Sequence, residues 1–451
     1  MRLIRQFGPA RACAAAMLVV SGAATAGTAM PSAPSPIAAS AHIVITPQIQ
    51  IPRMRPATGP WDGYTPAQIR AAYFENPLLR SGINGKGTSI VIVDSFGSPT
   101  IRHDLATFDR EFKLKTAKLT IIRPAGRIPR FRATETRLTW ADETTLDVEW
   151  THVMAPAAKI VLVETPVSEN EGTSGFPQIV KSEKYVMAHH LGDVISQSFG
   201  ATEETFPKGT LRPLRGAYLK AAQPSYNVTI LSASGDGGAT DLQTNMSSFY
   251  PRPVTSWPAS DPLVTGVGGL DLALSSRGGR LAPDRVWNDP GPPPSAGGGG
   301  RSIMFSRPSF QDGVATVAGR HRAVPDVSLS ASCGHPVEIY ESFGGAGWSL
   351  ICGTSEATPL FAGIIALADQ KAGHPLGPIN GYLYQMAARH ERGLVDVTRG
   401  NNTVRVDKGG KQITVQGWNA VAGYDLSSGL GTINAKWFVP ELVAIAKDAR
   451  H

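Results

Sequence analysis

Thr88-Ser89-Ile90-Val91-Ile92-Val93 is a short, continuous run of apolar, largely β-branched residues. A strand with one wet face alternates polar and apolar residues. A run without alternation predicts a strand buried on both faces, as parallel sheets require. The signature returns at 159–164 (KIVLVE), 193–197 and 229–233 (TILSA). Helical patterns are expected between these runs, over 100–112, 176–190 and 211–222. Alternating strands and helices predict an α/β fold, a parallel sheet with helices on both faces. Ahead of the first strand, Thr65 and Pro66 read as the N-cap and first residue of a helix. The segment 290–300 (PGPPPSAGGGG) reads as a surface loop, and no internal repeat of 20–50 residues is visible.

The chain has 451 residues, enough for one large core or two ordinary ones. Hydrophobic residues make up 42% and charged residues 18%, which excludes a wholly disordered chain. Its 48 Gly and 35 Pro exceed ordinary usage without a collagen period and predict many turns. The net charge of +7 raises nucleic-acid binding as a question. Arg2, Arg5 and Arg11, the apolar run 14–22 and Ala24-Thr25-Ala26 predict a secretory signal over 1–26, hence a secreted protein, extracellular or periplasmic. Its removal takes away three Arg and no acid, leaving +4, with Lys and Arg scattered. No nucleic-acid partner is therefore expected. No later stretch is long and apolar enough to span a membrane. Residues 27–58, rich in Pro, Ala and Ser, read as an extended leader, and 59–451 as one catalytic-type domain. Cys333 and Cys352 lie 19 apart; in an exported protein the pair suggests one disulfide, the alternative being two buried thiols.

The string Gly353-Thr354-Ser355-Glu356-Ala357-Thr358-Pro359 precedes a helical pattern. Ser355 is thus placed at a helix N-terminus, where free N–H groups favour developing negative charge. A Ser there can be only an N-cap, but the extended string favours a nucleophile. A nucleophilic Ser needs a base. Peptidases of the subtilisin type carry a similar string and use His in an HGT-like motif. None of His152, His189, His190 or His321 has those flanks. Glu143 and Asp147, four apart, share a helix face, where like charges disfavour each other. Two close carboxylates do not both ionise easily, so one holds its proton to higher pH. Such a pair can accept a proton, or it can be a solvated acidic face. Asp236, in SASGDGG after the strand TILSA, sits where α/β sheets place their sites. It can be a turn residue, or, when protonated, a donor to an oxyanion.

Taken together these strings resemble the sedolisin family, the serine-carboxyl peptidases of subtilisin-like fold. The likeness rests on ETTLDVEW with THVMAPAAKI, on SASGDGG and on GTSEATP. It extends through YTPAQIRAAY, IVDSFGSP, VISQSFG, SWPASDPLVTGVGG, the segment 305–311 and VPDVS, in order over about residues 60–447. The resemblance implies Ser355 as nucleophile, Glu143 as its base, Asp147 behind Glu143, and Asp236 as oxyanion donor with the Ser355 N–H. It implies that Ser198-Phe199-Gly200 pairs with the substrate backbone, with Ser198 and Gly200 as substrate-binding residues. Asp94 is left a structural role. One structural calcium ion is implied, held by Asp396 and Asp425 and by the carbonyls of Val397, Val421 and Gly423. The implied activity is a secreted endopeptidase of acid pH optimum, a monomer acting on protein or peptide substrates. The rivals are a tripeptidyl-peptidase of the same family and a catalytically silent binding protein on the same scaffold. The family implies a long folded prodomain; the segment 27–58 reads as a short leader or propeptide remnant in its place.

Overall fold

The apolar runs become a parallel sheet. A computed structural model describes Thr46–Pro47, Gln50–Met54 and residues 63–449 apart from 133, 168–174, 208, 246, 292 and 345–346. The expected signal and most of the expected leader lie outside the described residues. In chain order the strands that matter are β1 (Thr46–Pro47), β2 (Gln50–Met54), β3 (Ser89–Ser95), β4 (Lys118–Ile122), β5 (Lys159–Thr165), β6 (Val194–Gln197), β7 (Phe199–Thr202), β8 (Thr229–Ala233), β9 (Ser256–Trp257) and β10 (Thr265–Asp271). The main sheet runs β10-β8-β6-β3-β5-β4, every pair parallel. Val327–Ser330 adds a further parallel strand on β10. β3 and β6 lie in the middle and are buried almost throughout, as continuous apolar runs require.

Among the helices α1 (Pro66–Ala72), α2 (Asn76–Arg80), α3 (Ile101–Glu111), α4 (Glu135–Met154) and α5 (Gly175–Ala188), α4 and α5 pack against β3 and β5, α1 and α3 pack on α4, and α2 packs on the last helix, Ala435–Asp448. Thr65 caps α1 in a capping box with Gln68. The helix Thr354–Ala372 is buried from Thr354 to Asp369 and packs against α4. A Cβ on Gly363 would lie 2.3 Å from Met154 Cβ, so this glycine lets the two helices close. That closeness brings Glu143 and Ser355 together across 212 positions of sequence.

Two expectations need correction. The helix expected over 211–222 is two short helices, Leu211–Leu214 and Gly216–Ala221. Pro213 lacks an N–H and Gly216 is a poor helix former, while the fork of Arg215 is pinned by Asp261 at 2.5 and 2.8 Å. The second concerns 290–300. Its Gly297–Gly300 run is buried, not a surface loop. Gly298 N–H donates to Gly235 O at 2.7 Å, and its carbonyl accepts from Ser234 Oγ at 2.7 Å. A Cβ on Gly298 would stand 2.3 Å from Ser234 O. Bare backbone is what lets this run lie against the turn that carries Asp236.

Among the described residues no helix is long and apolar enough to cross a membrane.

Candidate active site

Four carboxyl and hydroxyl side chains converge at one end of the sheet. Ser355 stands in the first turn of Thr354–Ala372, with Gly353 at the N-cap position. Its N–H belongs to the helix's first donors, which have no partner within the helix. Ser355 Oγ donates to Glu143 Oε2 at 3.1 Å and also lies 3.3 Å from Ser198 O. Glu143 is in the third turn of α4, and Asp147 is one turn further along. Asp147 Oδ1 accepts from Ser198 Oγ at 2.8 Å. Asp147 therefore meets Glu143 through charge, while its hydrogen bond goes to Ser198. Asp236 Oδ1 accepts from both Thr354 N and Thr354 Oγ1, each at 2.8 Å. Its Oδ2 is buried and makes no hydrogen bond.

The electrostatics follow from burial without a cation. Glu143 and Asp147 are wholly buried. Burial pushes Glu143 well above the usual carboxylate range, reinforced by the charges of Asp147 and Asp94 and opposed by the Ser355 hydrogen bond. Burial and then Asp94 do the same for Asp147. Asp94, at the end of β3, is pushed up to about 7, chiefly by burial. An ionised carboxylate taken from water without a partner costs several kcal/mol, so the three share few negative charges. Burial also raises Asp236 well above its ordinary range, against the lowering effect of the Thr354 bonds. The oxygen left free on Asp236, Oδ2, is the one that can carry a proton into the site.

Two participants escape a motif reading. Thr354 reads as spacer in GTS, yet it orients Asp236. Ser198 reads as a backbone contact, yet its hydroxyl holds Asp147. His152, which lacks the flanks of a catalytic His, is buried 2.6 Å from Lys115 O and 3.2 Å from Asp109.

The segment 198–200 is buried, and β7 lies between β1 and β9. β1 pairs with it antiparallel, Thr46 opposite Gly200 and Pro47 opposite Phe199. β2 pairs with Gly347–Cys352, the strand that leads into Gly353, with Gln50 opposite Cys352. Ser355 is 0% exposed. Cys333 and Cys352 are disulfide-bonded, which ties the end of that strand to residue 333.

Away from this cluster, Asp396 Oδ2 accepts from Gly423 N at 2.9 Å. Asp425, 3% exposed, accepts from Val421 N and from the N–H and hydroxyl groups of Ser427 and Ser428. Val397 O is 3.5 Å from Ser428 Oγ. The loop 421–428 thus folds around Asp425 and reaches Asp396. Among the described residues no three His, Cys, Asp or Glu side chains gather as a metal cluster. A cation here would use two carboxylates and carbonyl oxygens, an all-oxygen set that suits a hard ion.

No protein-family model matches the chain. Kumamolisin of Bacillus sp. (strain MN-32) is 29% identical over 381 residues, 82% of this chain and 62% of that protein. Tripeptidyl-peptidase 1 of Homo sapiens is 29% identical over 395 residues, 82% of this chain and 63% of that protein. Sedolisin of Pseudomonas sp. (strain 101) is 30% identical over 272 residues, 59% of this chain and 43% of that protein. The chain thus spans less than two thirds of the length of each. A solved Pseudomonas sedolisin, described as a serine-carboxyl proteinase complexed with two molecules of pseudo-iodotyrostatin, superposes with a TM-score of 0.71 at 26% identity, covering 86% of this chain and 99% of that one.

Proposed function

This chain belongs to the sedolisin family, and on that premise we propose that it is a secreted serine-carboxyl endopeptidase working at acid pH. The carrying observation is the Ser355 Oγ to Glu143 Oε2 hydrogen bond at a helix N-terminus, beside the free oxygen of Asp236. Ser355 Oγ attacks the peptide carbonyl and Glu143 takes its proton. Asp147, held by Ser198, shares with Glu143 the proton that two adjacent carboxylates cannot both release. The tetrahedral oxyanion receives hydrogen bonds from protonated Asp236 Oδ2 and from the Ser355 N–H. Glu143 returns the proton to the leaving amine, and water then hydrolyses the acyl-enzyme. The substrate backbone adds as a strand along Ser198-Phe199-Gly200. The test is cleavage of a mixed peptide library across pH by wild type beside Ser355→Ala. A flat or alkaline profile that survives the substitution overturns the reading.

The relative named tripeptidyl-peptidase keeps an exopeptidase reading in play. β1 supports the endopeptidase: the strand lying on Gly200 has chain on both sides of it, so the edge seats an internal segment. Equal rates on N-blocked and free peptides are expected of an endopeptidase.

The leader, 27–58, acts in this proposal as a propeptide: of its described residues, β1 lies on the substrate edge and β2 beside the strand leading to Gly353. Wild type shifted to acid pH is expected to shorten at its N-terminus with a lag in activity. A chain begun at residue 50 shows no lag, and Ser355→Ala stays full length. N-terminal sequencing and progress curves check this; a full-length chain that is active at once rejects it.

One calcium ion held by Asp396, Asp425 and the carbonyls of Val397, Val421 and Gly423 completes the proposal. It would clamp 421–428 to Asp396 and take no part in the chemistry. A chelator is expected to lower the melting temperature by several degrees, calcium to restore it, and Asp396→Asn to abolish the difference. A melting temperature indifferent to both reagents removes the ion from the account.

A further inference from the structure

We infer that the Cys333–Cys352 disulfide positions the catalytic turn Gly353-Thr354-Ser355, so that the chain works at full rate only while that bond is closed. The inference rests on the peptidase reading and adds a redox condition to it. Cys352 ends the strand Gly347–Cys352, directly ahead of the turn that carries the nucleophile.

One half of the bond stands on an anchored turn. Ser332 Oγ donates to Asp289 Oδ1 at 2.9 Å, and Gly334 N donates to Asp289 Oδ2 at 3.2 Å. Trp287 Nε1 donates to the same Oδ2 at 2.6 Å. His335 Nδ1 lies 2.6 Å from Asp271 Oδ1, and Arg285 Nε donates to Asp271 Oδ2 at 2.8 Å. The residues on both sides of Cys333 are thus fixed to Asp289 and Asp271.

The other half carries the chemistry. Gly353 N donates to Ala331 O at 2.8 Å, and Thr354 then holds Asp236 with its N–H and its hydroxyl. In its sheet Cys352 is paired with Gln50, which belongs to the leader. On the other side, the register with Val337–Glu341 ends at Ile351. Departure of the leader takes Gln50 away and leaves the disulfide holding the Cys352 side chain to the anchored turn.

Cys352 is 0% exposed, while Cys333 is half-buried beside the exposed Gly334, so a thiol reagent reaches the bond from the Cys333 side. Thiols stay reduced inside most cells and pair in oxidising compartments. Closing the bond takes two electrons and two protons from the two thiols; a disulfide-bearing partner accepts them by exchange and leaves as two thiols. The catalytic turn is therefore slack while the chain is in a reducing compartment and is set after export.

The test brings the full chain to acid pH until its activity is steady, then reduces it with a water-soluble phosphine. The phosphine takes the oxygen of a water molecule and becomes its oxide, and the two hydrogens of that water go to the two sulfurs. Maleimide labelling and peptide mapping show which cysteines have opened. As Cys333 and Cys352 become labelled, kcat is expected to fall about tenfold to hundredfold with KM within about twofold, since a catalytic group displaced by about 1 Å loses rate. Removing the phosphine and adding a small disulfide restores the rate. Cys333→Ala/Cys352→Ala is expected to start at the reduced rate and to ignore the phosphine. All forms are assayed well below their melting temperatures. An unchanged kcat in the labelled chain overturns the inference, and so does a fall that comes with a lost melting transition. Cysteines that stay unlabelled reject the redox condition, and the kcat of the double variant then decides the positioning alone. If the oxidised chain cleaves no peptide, the peptidase reading fails and the inference falls with it.

Discussion

Ser355→Ala is expected to lower kcat on the order of 10⁶-fold while leaving the melting temperature close to wild type. Glu143→Gln is expected to cost on the order of 10⁴-fold or more, and the double variant no more than Ser355→Ala alone. The two groups act as one unit, since the hydroxyl at 3.1 Å is useful only if Glu143 can take its proton. Once either is gone, the other has nothing to do, so the losses do not add. What survives in each variant is binding along β7 and the oxyanion donors. Steady-state kinetics at the wild-type optimum, on chains begun at residue 50, measures all three. Additive losses would mean that Glu143 acts on something other than Ser355, and the proposed mechanism would fall.

Particular residues show what a sequence reader can see here. The strand 229–233 was legible to the residue, because an unbroken apolar run bounded by polar turns is a local signal. The grouping of Glu143, Asp236 and Ser355 was legible as well, through three strings in a familiar order. The geometry that makes them work was not. Thr354 donating twice to Asp236, and Ser198 holding Asp147, are contacts across 118 and 51 positions. The buried Gly297–Gly300 run departs from the surface loop expected there for a related reason. Gly and Pro signal a loop by composition, but composition does not say whether bare backbone faces water or another backbone. The break at Arg215 depends on Asp261, 46 positions on, which no helical window includes.

Asp236 offers a test in which two substitutions part. Asp236→Ala removes a donor aimed at the oxyanion and is expected to lower kcat by about 10²–10³-fold at the acid optimum. Asp236→Asn keeps a donor at that place, so a smaller loss is expected. The pH profiles should separate further. Wild-type Asp236 works only with its proton on. Burial raises its affinity for that proton, so the donor is intact at acid pH and is lost as pH rises through the raised value. An amide has no such transition. The alkaline fall in kcat is therefore expected to weaken in Asp236→Asn, leaving the limb set by the Glu143 and Asp147 pair. Thr354 gives a control, since it holds Asp236 Oδ1 with both its N–H and its hydroxyl. Thr354→Val removes one of two bonds that favour the ionised form, so Asp236 keeps its proton to higher pH and the alkaline limb moves up. Unchanged limbs in both variants would show that the proton on Asp236 does not set the upper pH bound of the reaction.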